Sequence, residues 1–431
     1  MTQNYRVCKV ASNSFGGGDV IIDVLKKHGV SEFLDSYLGQ RHPRAQYTYA
    51  EAVIHWFVTQ CRNHNRIENM YKSQKEVKKH PRFNKGMSPD TFLYSLKELA
   101  RPNIYMKKND PSIKQLEKEK KGERYEYHEV NIIERYNEML VDIAIKLGLL
   151  KKGVKYILDY DTTELETKIK GGRKYYKGNG RKAYSPAVSM IENIPLFIEN
   201  RNGDSNASFN LVNSIESVLD LLKRKGITVE LIRIDAAAFS REFTEFVGSR
   251  GLKYVTRPKS PTVKKQSKRI RNWIKTTIKK TSNEIGDTVF RFGKDESRMV
   301  VKKVLDENGK PKYWGLITND FEMSNVEIIN TYALRGDCEN LFSSLNEFGW
   351  KVLPMRKFEH NTVYLYITAF NYILFRFIKK LFSSVMPKRV WESMELKTFF
   401  HSYISVVTRW VKGILKFDEG AEDYLALSGF T

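Results

Sequence analysis

Val154-Lys155-Tyr156-Ile157-Leu158-Asp159-Tyr160-Asp161-Thr162-Thr163 is the stretch on which the fold turns. Residues 154–158 form a compact apolar run that ends in two aspartates spaced two apart, and they read as a buried strand. Residues 227–234, Ile-Thr-Val-Glu-Leu-Ile-Arg-Ile, make a second strand of this kind, and it ends at Asp235. Ser240 can cap the helix that follows, and a helix over about 131–149 precedes the first strand. Strand and helix in alternation imply an α/β domain with a mixed sheet.

Asp161 and Asp235 thus hold equivalent places, each at the C-terminal end of an apolar strand. In open α/β sheets that edge is where ligands bind. If the strands are neighbours, the two carboxylates repel unless a cation lies between them. Hard divalent ions such as magnesium favour oxygen ligands, with water and phosphate completing the shell. Two such ions stabilise the attacking and leaving oxygens of in-line phosphoryl displacement. A strand-end aspartate can equally be a turn or cap residue, so the pair alone leaves both readings open.

A third element adds to the pair. Residues 331–342, Thr-Tyr-Ala-Leu-Arg-Gly-Asp-Cys-Glu-Asn-Leu-Phe, read as one helix. Tyr332, Arg335 and Glu339 recur at three and four residues and are expected on one face. Glutamate can ligate a metal, arginine can clamp a phosphate bidentately, and tyrosine can donate to a phosphate oxygen. The plain alternative is a surface salt bridge between Arg335 and Glu339. Asp159 is expected to orient a neighbouring basic group, since Asp161 lies closer to the strand's ligand-binding edge.

Composition narrows the partner. With 431 residues the chain exceeds one ordinary core, and 41% hydrophobic and 12% aromatic content excludes a disordered protein. Lys and Arg outnumber acidic residues 73 to 50, a formal charge of +23 that favours a polyanion. Cys8, Cys61 and Cys338 form no CxxC pair, which argues against a disulfide framework or zinc and for a reducing cytoplasm. No His spacing suits zinc. The N-terminus lacks the apolar core of a signal peptide. Residues 363–382 are interrupted by Thr368, Asn371, Arg376, Lys379 and Lys380, so they read as a buried helix rather than a membrane span.

Five regions follow along the chain. Residues 1–100 read as a helical N-terminal DNA-binding domain, with Asp19 as a cap, Gly29 as a stop, and Ser88-Pro89-Asp90 as a helix start. A basic setting of Lys72, Lys75, Lys78, Lys79, Arg82 and Lys85 brings a DNA-reading helix-turn-helix module level with a plain helical cluster, and both readings stay open. Residues 101–150 read as a charged linker and a helix, and 151–257 as the first part of the core. Residues 258–320 read as a basic, β-rich insertion. Ile270, Trp273, Ile274, Thr277 and Ile278 within it suggest a helix, and Asp306-Glu307-Asn308-Gly309 a turn. Residues 321–431 read as the second part of the core with C-terminal helices. Residues 171–182, Gly-Gly-Arg-Lys-Tyr-Tyr-Lys-Gly-Asn-Gly-Arg-Lys, suit a loop on a DNA backbone, with Arg173, Lys174 and Lys177 at phosphates. The alternative is a flexible basic hairpin. It lacks a Walker ending, so no nucleotide cofactor is indicated.

Tyr332-x2-Arg335-x3-Glu339 resembles the Y-R-E-K signature of the hairpin-forming, cut-and-paste transposases of bacterial insertion sequences, which carry an Asp-Asp-Glu triad. Asp161-Thr162-Thr163 is similar to that family's first aspartate motif, and Ile234-Asp235-Ala236 to its second. Tyr254-Val255-Thr256-Arg257-Pro258-Lys259 resembles its next strand with a basic exit, and residues 313–318 resemble the strand that closes its insertion. The motif order covers about 155–345. The resemblance implies a ribonuclease-H-like core interrupted by a β insertion, with Asp161, Asp235 and Glu339 as catalytic metal ligands. It implies two Mg2+ ions, replaceable by Mn2+. It also implies double-stranded DNA as partner (terminal inverted repeats and target DNA), a dimer in the paired-end complex, and association with the nucleoid. Arg257 and Lys259 would join Tyr332 and Arg335 at phosphates, and Trp314 would stack on an extruded base. The family's lysine seven residues after the glutamate is Asn346 here, which puts hairpin formation in doubt; Lys351 and Lys357 are the nearby substitutes. The implied activity is strand cleavage and strand transfer. A domesticated, non-catalytic DNA-binding protein and a ribonuclease-H-like nuclease without strand transfer are the alternatives.

Overall fold

A computed structural model describes residues 16–62, 64–72, 86–107, 127–177, 180–278, 281–292, 295–383, 394–405, 408–411 and 414–417. Cys8, Lys75, Lys78, Lys79, Arg82 and Lys85 lie outside the described residues, as does much of the expected linker. The chain divides into two compact units. One comprises Arg101–Ser343 with Arg356–Thr362, and the other Met1–Ala100 with Ser344–Met355 and Val363–Thr431.

The first unit holds one large mixed sheet and a separate sheet of three short strands. Its strands begin with β1 (Ile104–Lys107), β2 (Tyr127–Asn131), β3 (Lys155–Thr162), β4 (Leu165–Glu166), β5 (Arg173–Lys174), β6 (Lys182–Tyr184) and β7 (Ala187–Ile191). They continue with β8 (Ile194–Arg201), β9 (Thr228–Ile234), β10 (Lys253–Thr256), β11 (Ile274–Ile278), β12 (Thr281–Phe292), β13 (Asp295–Leu305) and β14 (Pro311–Thr318). Strand β3 lies inside the sheet, with Leu158, Asp159 and Tyr160 buried. On one side it pairs antiparallel with β7, which turns into β8 through Glu192 and Asn193. Both turn residues have positive φ, 50° and 61°, the backbone that a two-residue hairpin needs to match strand twist. On the other side β9 and then β10 run parallel. The order β8-β7-β3-β9-β10 fits a ribonuclease-H-like core, as expected from the sequence. Helices Leu211–Arg224 and Arg241–Ser249 supply the crossover, and Ser240 caps the second by accepting from Phe243 N–H at 3.2 Å.

Two parts of the sheet were not legible. The ends of the expected linker form β1 and β2, and β2 pairs with β8 through Val130 and Arg201. These strands are short and set among charged residues, so no alternation betrays them. The β-rich insertion extends the same sheet, because β14 pairs antiparallel with β10 at Val255 and Thr318. The eleven strands of the large sheet run β1-β2-β8-β7-β3-β9-β10-β14-β13-β12-β11, and β4, β6 and β5 pair in the small one. The helix expected around Trp273 is strand β11; the insertion's helix is Ser260–Ser267 instead. Ile274, Thr276, Thr277 and Ile278 are β-branched, and pairing with β12 settles the ambiguity that spacing left open. The Asp306–Gly309 turn joins β13 to β14 as expected, with Gly309 at φ 71°.

Behind β3 lies a buried ionic cluster. Arg201 and Glu199 have no exposed surface, and Arg201 Nε donates to Glu199 Oε1 at 2.6 Å. Arg201 Nη2 donates to the Tyr160 hydroxyl at 2.6 Å, and Glu199 accepts from Asn210 Nδ2 at 2.9 Å and from the Ser214 hydroxyl. Buried charges of this kind are tolerated only when their polar atoms are met.

The second unit is helical apart from a two-stranded antiparallel sheet, Thr408–Val411 with Ile414–Phe417, where the sequence suggests helix. Its N-terminal helices are Gly16–Lys27, Val30–Leu38, Tyr49–Cys61 and Pro89–Leu99. Gly29, at φ 63°, separates the first two. Thr48 and Glu51 form a capping box on the third, and Ser88 with Pro89 starts the fourth as the sequence suggests. Buried Gln60 donates to Phe348 O at 2.7 Å and accepts from Asn371 Nδ2 at 2.6 Å, which ties the N-terminal helices to helix Phe358–Phe382. That helix is buried along most of its length, and among the described residues no helix is long and apolar enough to cross a membrane.

Arg201→Ala strands the Glu199 carboxylate in the core. It should destabilise the first unit by about 3–5 kcal/mol in denaturant unfolding of the full chain. A cost below about 1 kcal/mol would mean that the ion pair is not what organises this side of the sheet.

Candidate active site

The parallel register of β3 and β9 pairs Asp159 with Arg233 and Tyr160 with Ile234. One step further, Asp161 at the end of β3 stands beside Asp235, the first residue after β9. Neighbouring strands lie about 4.8 Å apart, so the two carboxylates share one edge. Burial pushes the Asp161 carboxyl up, the Arg335 guanidinium and the Thr162 N–H pull it down, and Asp235 pushes it up again; the net direction is up. The Thr162 N–H donates to Asp161 Oδ1 at 2.8 Å. Two adjacent carboxylates with mutual repulsion and hard oxygen donors fit a divalent cation.

Asp159 does orient a basic neighbour. Arg233 grips it with Nε to Oδ1 at 2.7 Å and Nη2 to Oδ2 at 2.5 Å, and Arg233 Nη1 donates to Thr331 O at 2.6 Å. This bridge carries position from β3 through β9 to helix Asn325–Ala333. The role of Arg233 was missed in the sequence. The available signal was a guanidinium inside an apolar strand, two residues before Asp235 and therefore on its face.

The continuous helix expected over 331–342 is broken. Helix Asn325–Ala333 ends at Leu334, and a new helix, Gly336–Glu347, begins beyond Arg335. Tight i to i+3 bonds replace helical ones here: Arg335 N–H to Tyr332 O and Cys338 N–H to Arg335 O, both 2.9 Å. Gly336 is a weak helix former at the break. Tyr332, Arg335 and Glu339 therefore do not form one helical face. Tyr332 is buried, its ring edge-on to Trp314 at 6.0 Å, and burial pushes its hydroxyl up to about 12. Arg335 turns to Asp161, with Nη2 2.8 Å from Oδ2, so the surface pair with Glu339 is not what forms. Arg335 Nε is buried with no hydrogen-bond acceptor. Glu339 is exposed on the second helix. Among the described residues no three His, Cys, Asp or Glu side chains come close enough to hold a metal.

The helix bearing Tyr332 is seated by an apolar cluster of Leu231, Val255, Val300, Leu316, Ile328 and Ile329, which joins core and insertion strands. Trp314 packs half-buried against this cluster, and the Arg257 guanidinium lies 5.7 Å over its ring. Arg257 and Lys259 are exposed beyond β10, as are Lys174 and Lys177 on the basic loop. Arg173 is a correction. It is buried, paired with Asp204 at 3.1 Å and donating to Tyr127 O, so it braces the loop and does not face a phosphate. Lys357 lies 3.7 Å from Glu359.

The site is thus a ribonuclease-H-like sheet with two carboxylates at adjacent strand ends. The family model described as the transposase DDE domain matches residues 152–374, more than half of the chain, and the chain belongs to that family. No curated protein matches it. Among solved structures it is similar to one described as a cryo-EM structure of the piggyBac transposase synaptic complex with hairpin DNA. The identity is 10%, the match covers 97% of this chain and 80% of that one, and the TM-score is 0.41.

The charges around Asp161 give opposite signed shifts. Arg335→Gln removes a group that lowers its pKa, so the titration should move up; Asp235→Asn removes one that raises it, so the titration should move down. Carboxyl NMR of the 13C-labelled chain reads both, and movement in the same direction in both variants would refute the geometry.

Proposed function

We propose that the chain is a DNA transposase that cuts at element-end inverted repeats and joins the freed 3′ end to target DNA. The observation that carries this reading is Arg335. Its guanidinium is ion-paired with Asp161, Nη2 lying 2.8 Å from Oδ2, yet neither its buried Nε nor Nη2 has a well-aligned hydrogen-bond acceptor. A buried donor without a partner is costly, and a phosphate oxygen beside the two aspartates would meet it.

In this reading Asp161 and Asp235 would hold two divalent cations, Mg2+ or Mn2+, with Glu339 as third ligand. The bound ions supply electrostatic stabilisation of the attacking and leaving oxygens in phosphoryl transfer. Arg335 orients the scissile phosphate, and the Tyr332 hydroxyl, held in neutral form by its burial, donates to a phosphate oxygen. Arg257, Lys259, Lys174 and Lys177 meet flanking backbone, where charge fixes position without reading sequence. Paired ends in a dimer would supply two such sites.

A second reading rests on Glu339, which is exposed and not gathered with the aspartates. A DNA-binding protein that no longer cuts would need no third ligand.

Incubating the full chain with Mg2+ and DNA carrying its flanking inverted repeats separates these readings. Cut and joined products are expected for a transposase, cut products alone for a nuclease, and neither for a binding protein. Asp161→Asn and Glu339→Gln should each lose cleavage by more than a hundredfold while retaining end binding; Asp159→Asn should cost about 10- to 100-fold. Wild-type cleavage in Glu339→Gln would remove it from the ligand set. End binding should also weaken steeply with salt, because a +23 chain displaces many counterions.

A further inference from the structure

The insertion carries an open sheet edge. Strand β12 is twelve residues long, and β11 pairs with only its first five, Thr281–Ile285. The chain leading into β11 comes off the sheet face at Gly286, where a Cβ would lie 2.4 Å from Ile270 Cγ2 and 2.8 Å from Asn272 O. The pairing stops there, and among the described residues no strand pairs with the outer side of β12 from Gly286 to Phe292. The backbone along such an edge is a ready template for another strand.

Asp287, Val289 and Arg291 alternate along this edge and so share one face of the sheet. Val289 is apolar yet 53% exposed. Asp287 is held in place, its Oδ2 accepting from Arg298 Nε at 3.1 Å and its Oδ1 from Asn325 Nδ2 at 3.0 Å, but its side chain stays 42% exposed. Arg291 donates from Nε to Glu296 Oε1 at 3.0 Å, and its side chain stays 75% exposed. Charged side chains on an edge ordinarily keep other strands away. Here the two signs stand four residues apart with an apolar residue midway, and such a pattern is complementary to its own reverse.

A two-fold axis through Val289 sets two copies antiparallel, with Val289 opposite Val289 and Asp287 of each copy opposite Arg291 of the other. Residues directly opposite in such a pair have Cβ atoms about 4.5–5.5 Å apart, within reach of apolar contact and of an ion pair. The charges then alternate in sign across the seam, Glu296 and Arg291 of one copy followed by Asp287 and Arg298 of the other, and symmetry repeats the row. No other antiparallel register of this edge with itself brings Asp287 opposite Arg291. We propose that the outer edge of β12 is a self-association surface, through which two copies of this chain join their sheets in register about Val289. The inference goes beyond the transposase reading and does not depend on it.

The test is sedimentation velocity of the full chain without DNA, over a range of concentrations. At about 0.3 M salt the Debye length is about 6 Å, which screens the repulsion between two +23 chains. Wild type should pass from monomer to dimer as concentration rises. Arg291→Glu and Asp287→Lys each set like charges opposite one another and should weaken association about tenfold or more. Mixed in equal amounts, the two variants restore both opposite-charge pairs, and the mixture should dimerise as wild type does. The melting transition of each variant checks folding. Val289→Cys leaves both charges in place, and under oxidation it should give a disulfide-linked dimer that wild type does not, because the two sulfurs meet on the axis. A wild type that stays monomeric, a charge variant that dimerises as well as wild type, a mixture no more associated than its parts, or no cross-link in Val289→Cys overturns this inference. Each of these results leaves the transposase reading standing.

Discussion

Parallel pairing of β3 with β9 forces two carboxylates into adjacency, and much of the first unit answers to that constraint. Bringing Asp161 beside Asp235 costs electrostatic energy, and three arginines, one on β8, one on β9 and one in the turn after helix Asn325–Ala333, take up negative charge nearby. Arg233 neutralises Asp159, Arg335 leans on Asp161, and Arg201 satisfies Glu199 behind Tyr160. The deeper pairs are closed by bidentate or multiple bonds, while the Arg335–Asp161 pair leaves Arg335 Nε without an acceptor.

The insertion is part of the same mechanical system. Because β14 closes on β10, the apolar cluster around Leu316 and Ile329 spans core and insertion strands and seats the helix that ends at Tyr332. Arg233 fixes the same helix from the other side through Thr331 O. Arg335 thus reaches Asp161 from a turn held at two points, the kind of support that keeps a guanidinium in place.

How much of this was legible depended on the range of the interaction that decides each feature. Strands β3, β9, β10 and β14, the capped helix after Ser240 and the Asp306–Gly309 turn are written in local apolar runs and turn residues, and they stand where the sequence puts them. Asp161 and Asp235 were visible because a strand-end carboxylate after an apolar approach is a local signal. Strands β1 and β2 were hidden, since their identity comes from pairing with β8 and each other, far along the chain. Ile274 and Thr277 fit a helix and a strand equally by spacing, and only β12 decided between them. The break at Leu334 and Arg335 defeated the one-face argument because Arg335 finds a better partner in Asp161 than in its own helix. Arg173 looked like a phosphate contact in a basic loop; its burial depends on Asp204, thirty-one residues away.

The claim on which everything else rests is that Asp161 and Asp235 together form a cation site. Electron paramagnetic resonance of Mn2+ titrated into the full chain measures it directly, with the Asp161→Asn, Asp235→Asn double variant as the comparison. The account predicts saturable Mn2+ binding in the wild type that disappears in the folded double variant. Saturable binding of unchanged affinity after both carboxylates are removed would contradict it.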